Sequence, residues 1–377
     1  MLQPLVVGLG RSGAGLHLRT LRTLAARTGA TGTPPVALPA VGHDPRAAAL
    51  ALDAPDLVVV PELEDSLAHL DPARTVVHLC VPPGRRLPVL EQLAALGFRR
   101  VLVEKPLAAT GDELDALVRL RERTPLRLVV VAHWLTSRLA GRLRDTVRSG
   151  RLGALRRITV DQHKPRFARS LTDRGHRTAL DVEIPHSLGL VLDLAGPARL
   201  RAAHCWDLRY EDRTLPLMGG ASVELAHDGG VLTRLRSDLG APVRQRRVHC
   251  VFDHGTATAH FPVAEDDHHA QLALMAGSPP GPVHVPGRAA DFGPLDRPHP
   301  ASHGPAGTTG VHTSRHVLYD DALTDFLEHA YRAFRTGTEA AAAPCDFASA
   351  HRAARLLCEA RDHCVTAPGP APAPAHD

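Results

Sequence analysis

The segment Gly8-Leu9-Gly10-Arg11-Ser12-Gly13 has the spacing G-x-G-x-x-G, directly after the apolar run Leu5-Val6-Val7 and ahead of a helical pattern. In that context Gly8 permits a tight turn and Gly10 lets a pyrophosphate approach the backbone. Gly13 lets helix and strand pack closely, and the helix start offers N–H groups to the phosphates. Arg11 and Ser12 sit inside the loop and are assigned to the same role. The next strand ends at Gly42-His43-Asp44-Pro45-Arg46. An acid here, Asp44, accepts from ribose hydroxyls and favours NAD, whereas Arg46 would suit the 2′-phosphate of NADP. The interval from the glycines exceeds the usual spacing of about 20 residues, and the turn-rich stretch from Thr28 to Pro35 supplies the excess. NAD is the expected cofactor, with NADP kept open by Arg46.

Lysine is the second signal. Of 44 basic residues only Lys105 and Lys164 are lysines, and asparagine is absent, as expected of a GC-rich coding bias that turns Lys into Arg wherever Arg serves. Arginine cannot give up its proton, while lysine is a compact donor with a tunable pKa. Lysines that persist are therefore candidates for chemistry. Lys105 lies in Val101-Leu102-Val103-Glu104-Lys105-Pro106-Leu107, just past the end of a strand, the edge at which parallel sheets bind ligands. There it can polarise a substrate hydroxyl or carbonyl. Lys164 lies in Gln162-His163-Lys164-Pro165-Arg166-Phe167. Lys164, Arg166 and His133 are the expected substrate contacts, and the arginines nearby leave a phosphorylated substrate open. An arginine-rich surface loop is an equal reading of that segment.

The third segment is Asp181-Val182-Glu183-Ile184-Pro185-His186. An imidazole suits proton removal from an alcohol near neutral pH, and Pro185 suits a first helical turn, so His186 is the acid/base candidate. Glu183, three residues before it, or Asp181 would orient the ring or stabilise its charged form, Glu183 being preferred.

The glycine fingerprint, the Val81-Pro82-Pro83 turn, Glu104-Lys105-Pro106 and Ser149-Gly150-Arg151-Leu152-Gly153 together resemble the Gfo/Idh/MocA oxidoreductases over about the first 160 residues, and more loosely beyond. The resemblance implies an α/β chain with an N-terminal Rossmann parallel sheet. It also implies a C-terminal α+β domain with a large open, mainly antiparallel sheet. Hydride transfer at a secondary alcohol or ketone of a sugar, amino sugar or cyclitol would follow, in a homodimer or homotetramer. Val81, Pro82, Glu104 and Lys105 would then lie against the cofactor. The sequence departs from the family's pattern twice: Arg86 stands where a histidine is usual, and Val182 stands where the acid of the catalytic helix is usual.

The elements that must position these residues are readable from periodicity. Strands at 5–7, 36–41, 57–60, 75–81, 101–103 and 128–131 alternate with helices at 14–27, 87–96 and 113–123, as in a parallel sheet built from βαβ units. After residue 150 the pattern changes to strands at 158–161 and within 221–261, with turns at His227-Asp228-Gly229-Gly230 and Asp253-His254-Gly255, and to helices at 186–195, 318–334 and 347–364. The expected domains are 1–132 and 133–364, with a long Gly-, Pro- and His-rich loop at 276–314 and a disordered tail at 365–377.

Composition narrows the classes further. A formal charge of +4, with arginines and acids interleaved and few aromatics, argues against nucleic acid as partner. No apolar run is long enough to span a bilayer, and the first residues lack the features of a signal peptide, so no membrane partner and a cytoplasmic location are expected. The six scattered cysteines suggest free thiols, and the pair His268-His269 lacks metal-ligand context, so no metal is assigned. Arg244-Gln245-Arg246-Arg247 reads as interface or solvated residues. Two other functions remain in view: a redox-assisted lyase or glycosidase that retains its cofactor, and a non-catalytic dinucleotide sensor.

Overall fold

The computed structural model describes residues 1–27, 34–46, 54–172, 176–264, 267–277, 312–337 and 346–366. Six strands form a parallel sheet: β1 (Gln3–Val7), β2 (Ala40–His43), β3 (Leu57–Val60), β4 (Thr75–Leu79), β5 (Arg100–Val103) and β6 (Arg127–Val130). Their order, β3-β2-β1-β4-β5-β6, is that of a doubly wound dinucleotide fold, with the topological switch between β1 and β4. The strands are valine- and leucine-rich without polar alternation because both faces are covered. Leu5, Val7, Val77, Leu79 and Val103 enter one core, while Val6, Val76 and Leu102 enter the other. Helices α1 (Arg19–Ala26), α2 (Arg86–Ala95) and α3 (Gly111–Arg123) supply the covering layers. The first is preceded by a π turn over Gly13–Leu18.

Helices α4 (His133–Thr136) and α5 (Arg138–Ser149) lead to a nine-stranded sheet. Its strands are β7 (Leu155–His163), β8 (Ala198–Tyr210), β9 (Arg213–His227), β10 (Leu232–Asp238), β11 (Gln245–Phe252), β12 (Gly255–His260), β13 (His269–Ala276), β14 (His312–Tyr319) and β15 (Val365–Thr366). The order is β14-β13-β12-β11-β7-β10-β9-β8-β15, and pairing is antiparallel except for β7 with β10 and β8 with β15. Short α6 (Phe167–Thr172) follows β7, and α7 (Ile184–Ala195) packs on β7 and β10. The last helices, α8 (Ala322–Thr336) and α9 (Phe347–Asp362), return to the first half, α8 against α1 and α4, α9 against α3.

Several expected boundaries move. The second strand begins at Ala40 rather than Val36, which makes only a bridge to Leu2. Residues 312–314, expected in a loop, belong to β14, and the helix expected from Leu318 begins at Ala322 because His312–Tyr319 pairs with β13. Val365 and Thr366, expected in a disordered tail, pair with His204 and Cys205 on β8. The bulk of the expected 276–314 loop, and the tail from 367, lie outside the described residues. Cys80, Cys205, Cys250, Cys358 and Cys364 are free thiols.

Candidate active site

A cleft of about 1330 Å³ runs between the C-terminal edge of the parallel sheet and the start of α7. Its first half is built by the glycine loop. Gly8 has φ +93°, and a Cβ there would press on the Cys80 backbone at 3.0 Å. A Cβ on Gly13 would overlap the Gly8 carbonyl, so that glycine serves close packing. Nothing lies within 4 Å of a Cβ built on Gly10, whose open side faces the cleft. Arg11, Ser12, Val81 and Pro82 line the same wall. This is a cradle that a dinucleotide's phosphates fit.

Asp44 directly follows β2 and is buried. Its carboxylate accepts from the Leu9 N–H at 2.9 Å and from the Arg46 N–H at 2.9 Å, with the Arg46 Nε at 3.3 Å. Burial pushes this carboxyl upward, but the Arg46 and Leu9 donors outweigh it and hold it below its usual range. Asp44 thus fixes the glycine loop to the neighbouring strand while lining the cleft, and Arg46 beside it leaves its side chain 72% exposed.

Lys105 and His186 come together from opposite sides. The Lys105 peptide bond to Pro106 is cis, and Nζ donates to the Val182 carbonyl at 2.9 Å, in the turn that enters α7. Burial lowers the ammonium's pKa, against which the Glu104 and Glu183 carboxylates act. His186 lies in the first turn of α7, after Pro185, as its sequence context predicts. Its ring is 4.7 Å from His133 and 6.1 Å from Trp134, which stacks on Phe261 at 4.2 Å. Burial first, then Lys105, His133 and Arg246, drive its pKa well below 6.5, so the ring is neutral. Its Nδ1 is buried without a hydrogen-bond partner among the described residues, as is that of His133. The same burial brings His133 to about 4.

Neither expected acid contacts the His186 imidazole. Asp181 closes a capping box with Thr178 and accepts from Arg361 Nε at 2.6 Å, so it faces α9 and not the cleft. Glu183 does line the cleft, but accepts from Lys164 Nζ at 2.6 Å and from the Gln162 amide at 3.3 Å. Burial lowers Lys164 to about 8 despite this carboxylate. Arg166, 3% exposed, lies in the same cleft wall. Glu104 does not project freely to the cleft either; its carboxylate accepts from His17 Nε2 at 2.8 Å.

Arg246, expected at a solvated or interface position, lines the cleft. It stands opposite Gln162 on β7, donates to the Pro262 carbonyl at 2.8 Å, and lines the cleft near Glu183. Its neighbour Arg247 points to the other face and pairs with Asp161 at 2.6 Å. Strand parity is the signal that separates them: Ile158 and Val160 are buried on the helix side of β7, Gln162 shares their face, and pairing then aims Arg246 inward. Trp134 and Phe261 likewise line the cleft, and no motif marks them.

Residues 2–133 match the family model described as an oxidoreductase family with an NAD-binding Rossmann fold, GFO_IDH_MocA. That match spans about the first third of the chain. The matched family is described as NAD-binding. The whole chain has the fold of KijD10, a 3-ketoreductase from Actinomadura kijaniata solved with NADP and TDP-benzene, at 15% identity and a TM-score of 0.69, covering 97% of this chain and 98% of that one. It is also similar to GnnA, the UDP-N-acetylglucosamine 3-dehydrogenase of Acidithiobacillus ferrooxidans, at 17% identity and TM-score 0.65, covering 96% and 97%. A third likeness is to an oxidoreductase from Erwinia carotovora atroseptica, at 15% identity and TM-score 0.68, covering 97% and 99%. No curated protein matches the chain.

The two departures from the Gfo/Idh/MocA pattern have structural explanations. Arg86 is buried and donates to the Val81 and Pro106 carbonyls, so it clamps the Val81-Pro82 turn to the turn after Lys105. Val182 supplies a backbone carbonyl to Lys105 in place of a side-chain acid, and Glu183 carries the carboxylate one residue later, toward Lys164.

Proposed function

We propose that the protein is an NAD(P)-dependent oxidoreductase acting on a secondary alcohol or ketone of a sugar that carries an anionic group, with nucleotide-diphosphate sugars as the leading class. The observation that carries the reading is the convergence of a neutral, unpartnered His186 nitrogen and the Lys105 ammonium on the cleft below the glycine cradle. The anionic group is argued from charge. Lys164, Arg166, Arg244 and Arg246 line the substrate side with Lys105, against the Glu183 carboxylate. The sugar-nucleotide chemistry of the structural relatives points the same way.

Bound NAD(P) would supply the hydride acceptor or donor. His186 is set to accept the hydroxyl proton in the oxidation direction and to return it in reduction, because burial among cations keeps the ring basic site unprotonated. Lys105 donates to the same oxygen and stabilises the negative charge it develops. Its tie to the Val182 carbonyl fixes the distance between the two groups' supporting elements. Glu183 holds Lys164, and with Arg246 it orients the sugar's polar groups, while Trp134 and Phe261 form an apolar wall that excludes water. Asp44 and Arg46 would meet the adenosine ribose.

The test is turnover. Purified protein, its cofactor content measured after denaturation, is incubated with NAD⁺ or NADP⁺ and a panel of uridine- and thymidine-diphosphate hexoses, hexose phosphates and free inositols. Growth of nicotinamide absorbance with a nucleotide-linked hexose is expected. Retained cofactor with no net reduction, but elimination or glycoside cleavage of a panel member, would replace this reading with the redox-assisted one.

A further inference from the structure

Cys205 and Cys364 lie far apart in the chain and come together at the edge of the nine-stranded sheet. Where β15 runs parallel to β8, Val365 pairs with His204 and Thr366 with Cys205. Cys364, one residue before Val365, therefore falls beside Ala203, on the face that Ala203 and Cys205 share, because side chains alternate along a strand. That face is the core side. Cys205 has no exposed surface, and the half-buried Cys364 packs against the same apolar cluster. The Cys205 sulfur meets the Cys364 sulfur and the Leu180 N–H, with the Asp181 carboxylate close by. Three residues before Cys364, Arg361 Nε donates to Asp181 at 2.6 Å. The two sulfurs thus sit under the turn Ala179–Asp181, which leads to Val182 and α7.

We propose that Cys205 and Cys364 are a thiol pair that hydroperoxides oxidise to a disulfide, fastening the C-terminal strand to β8. Cys364 is the attacking thiol because it is the more exposed of the two. The hydrogen bond it receives from the Cys205 thiol also outweighs burial and holds it below the usual thiol range. The same bond, then burial and the Cys364 and Asp181 charges, push Cys205 up against the Leu180 N–H, so Cys205 stays a thiol until the second step. Cys250, by contrast, is raised to about 12 by burial alone, as an inert core thiol is. In the first step the Cys364 thiolate takes one peroxide oxygen, the O–O bond breaks, and a sulfenic acid and hydroxide form. In the second, the Cys205 sulfur attacks the Cys364 sulfur, the S–O bond breaks, and the oxygen leaves as water with the Cys205 proton. Counting the proton that Cys364 released earlier, two thiols are oxidised to one disulfide and one peroxide is reduced to two waters. Peroxide has to reach only Cys364, since the second attack comes from inside the core.

The test uses the full-length protein, reduced, freed of reductant and treated with hydrogen peroxide. After denaturation, alkylation and digestion, mass spectrometry should find a peptide joining Cys205 to Cys364, with Cys250 alkylated as a thiol. A crosslink between residues so distant in the chain restricts the unfolded state, so Tm should rise by about 3–8 °C and return with dithiothreitol. Cys364→Ser should lose both the crosslink and the rise. Cys205→Ser should leave a sulfenic acid on Cys364 that dimedone captures. The wild-type peptide map does not depend on either variant folding. Two unreacted thiols, a disulfide from either cysteine to a different one, or Cys364 oxidised to sulfinic acid with no crosslink would each overturn the proposal. A crosslinked protein whose Tm is unchanged or lower would overturn the fastening, and dimedone on a cysteine other than Cys364 would overturn its place as the attacking thiol.

Discussion

The Lys105 ammonium reaches the Val182 carbonyl across 2.9 Å, linking the end of β5 to the turn that starts the His186 helix. One hydrogen bond thus couples the two sheets at the point where their candidate groups meet. A lysine in this position does two things, holding the helix entry and presenting a donor to the cleft.

Lys105→Ala should therefore lower kcat by about 10²- to 10³-fold, the effect of removing one preorganised donor from a developing oxyanion. His186→Gln should cost about 10²- to 10⁴-fold through loss of the general base. Cofactor affinity, read by nicotinamide fluorescence, should change little in either. Turnover in His186→Gln equal to wild type would reject the imidazole as base.

Glu183 and Lys164 form a pair in which the carboxylate is 5% exposed and the ammonium 18%. Removing one partner of such a pair strands the other charge, and Glu183→Gln should destabilise the fold by about 3 kcal/mol in urea unfolding at pH 7. Glu183→Gln with Lys164→Met should recover most of that loss. If the double variant is no more stable than the single, the two side chains do not act as a pair.

The βαβ half and its motifs are legible in the sequence because their signals are local: a glycine loop after a strand, a lysine at a strand end, a proline before a histidine. What is not legible depends on contacts distant in sequence. Asp181 and Glu183 are two residues apart, and the local capping box with Thr178 together with Arg361, 180 residues later, turns Asp181 away. Arg246 and Arg247 are separated by the pairing of β11 with β7. His17 has no local mark that links it to Glu104. β14 is polar and sits next to Gly- and Pro-rich sequence, so periodicity hides it, whereas its register with β13 does not.

Asp44 and Arg46 make opposite demands of the cofactor. Arg46→Ala should weaken NADPH binding severalfold while NADH affinity stays within about twofold, because the exposed guanidinium, held to Asp44 only through Nε, can swing to a 2′-phosphate but has no equivalent partner on a 2′-hydroxyl. Asp44→Ala should weaken NADH as well, and lower Tm, since the Leu9 N–H loses its acceptor. Equal NADPH affinity in wild type and Arg46→Ala would remove Arg46 from the ribose site.

Protonation of buried histidines should govern stability between pH 7.5 and 5. His133 is held at about 4 in the folded protein against 6.5 when unfolded, and His78 and His186 are depressed in the same direction. Above 6.5 these rings are neutral in both states. As pH falls below 6.5 the unfolded chain binds protons that the folded chain refuses, so stability is lost progressively toward the folded values. His17 works in the other window, its contribution being complete below 6.5 and lost as pH rises through about 10, and Glu104, near 2, enters only in stronger acid. Across the interval from 7.5 to 5 the depressed histidines act against Asp320 and Asp325, whose carboxyls are raised by burial and gain stability on acidification. Calorimetry should show Tm falling across it, and His133→Gln should flatten that fall, because the substituted side chain has no proton to bind in either state. Parallel curves for wild type and His133→Gln would mean that His133 is readily protonated in the folded cleft, and with it the basis for a neutral His186 beside it would be lost.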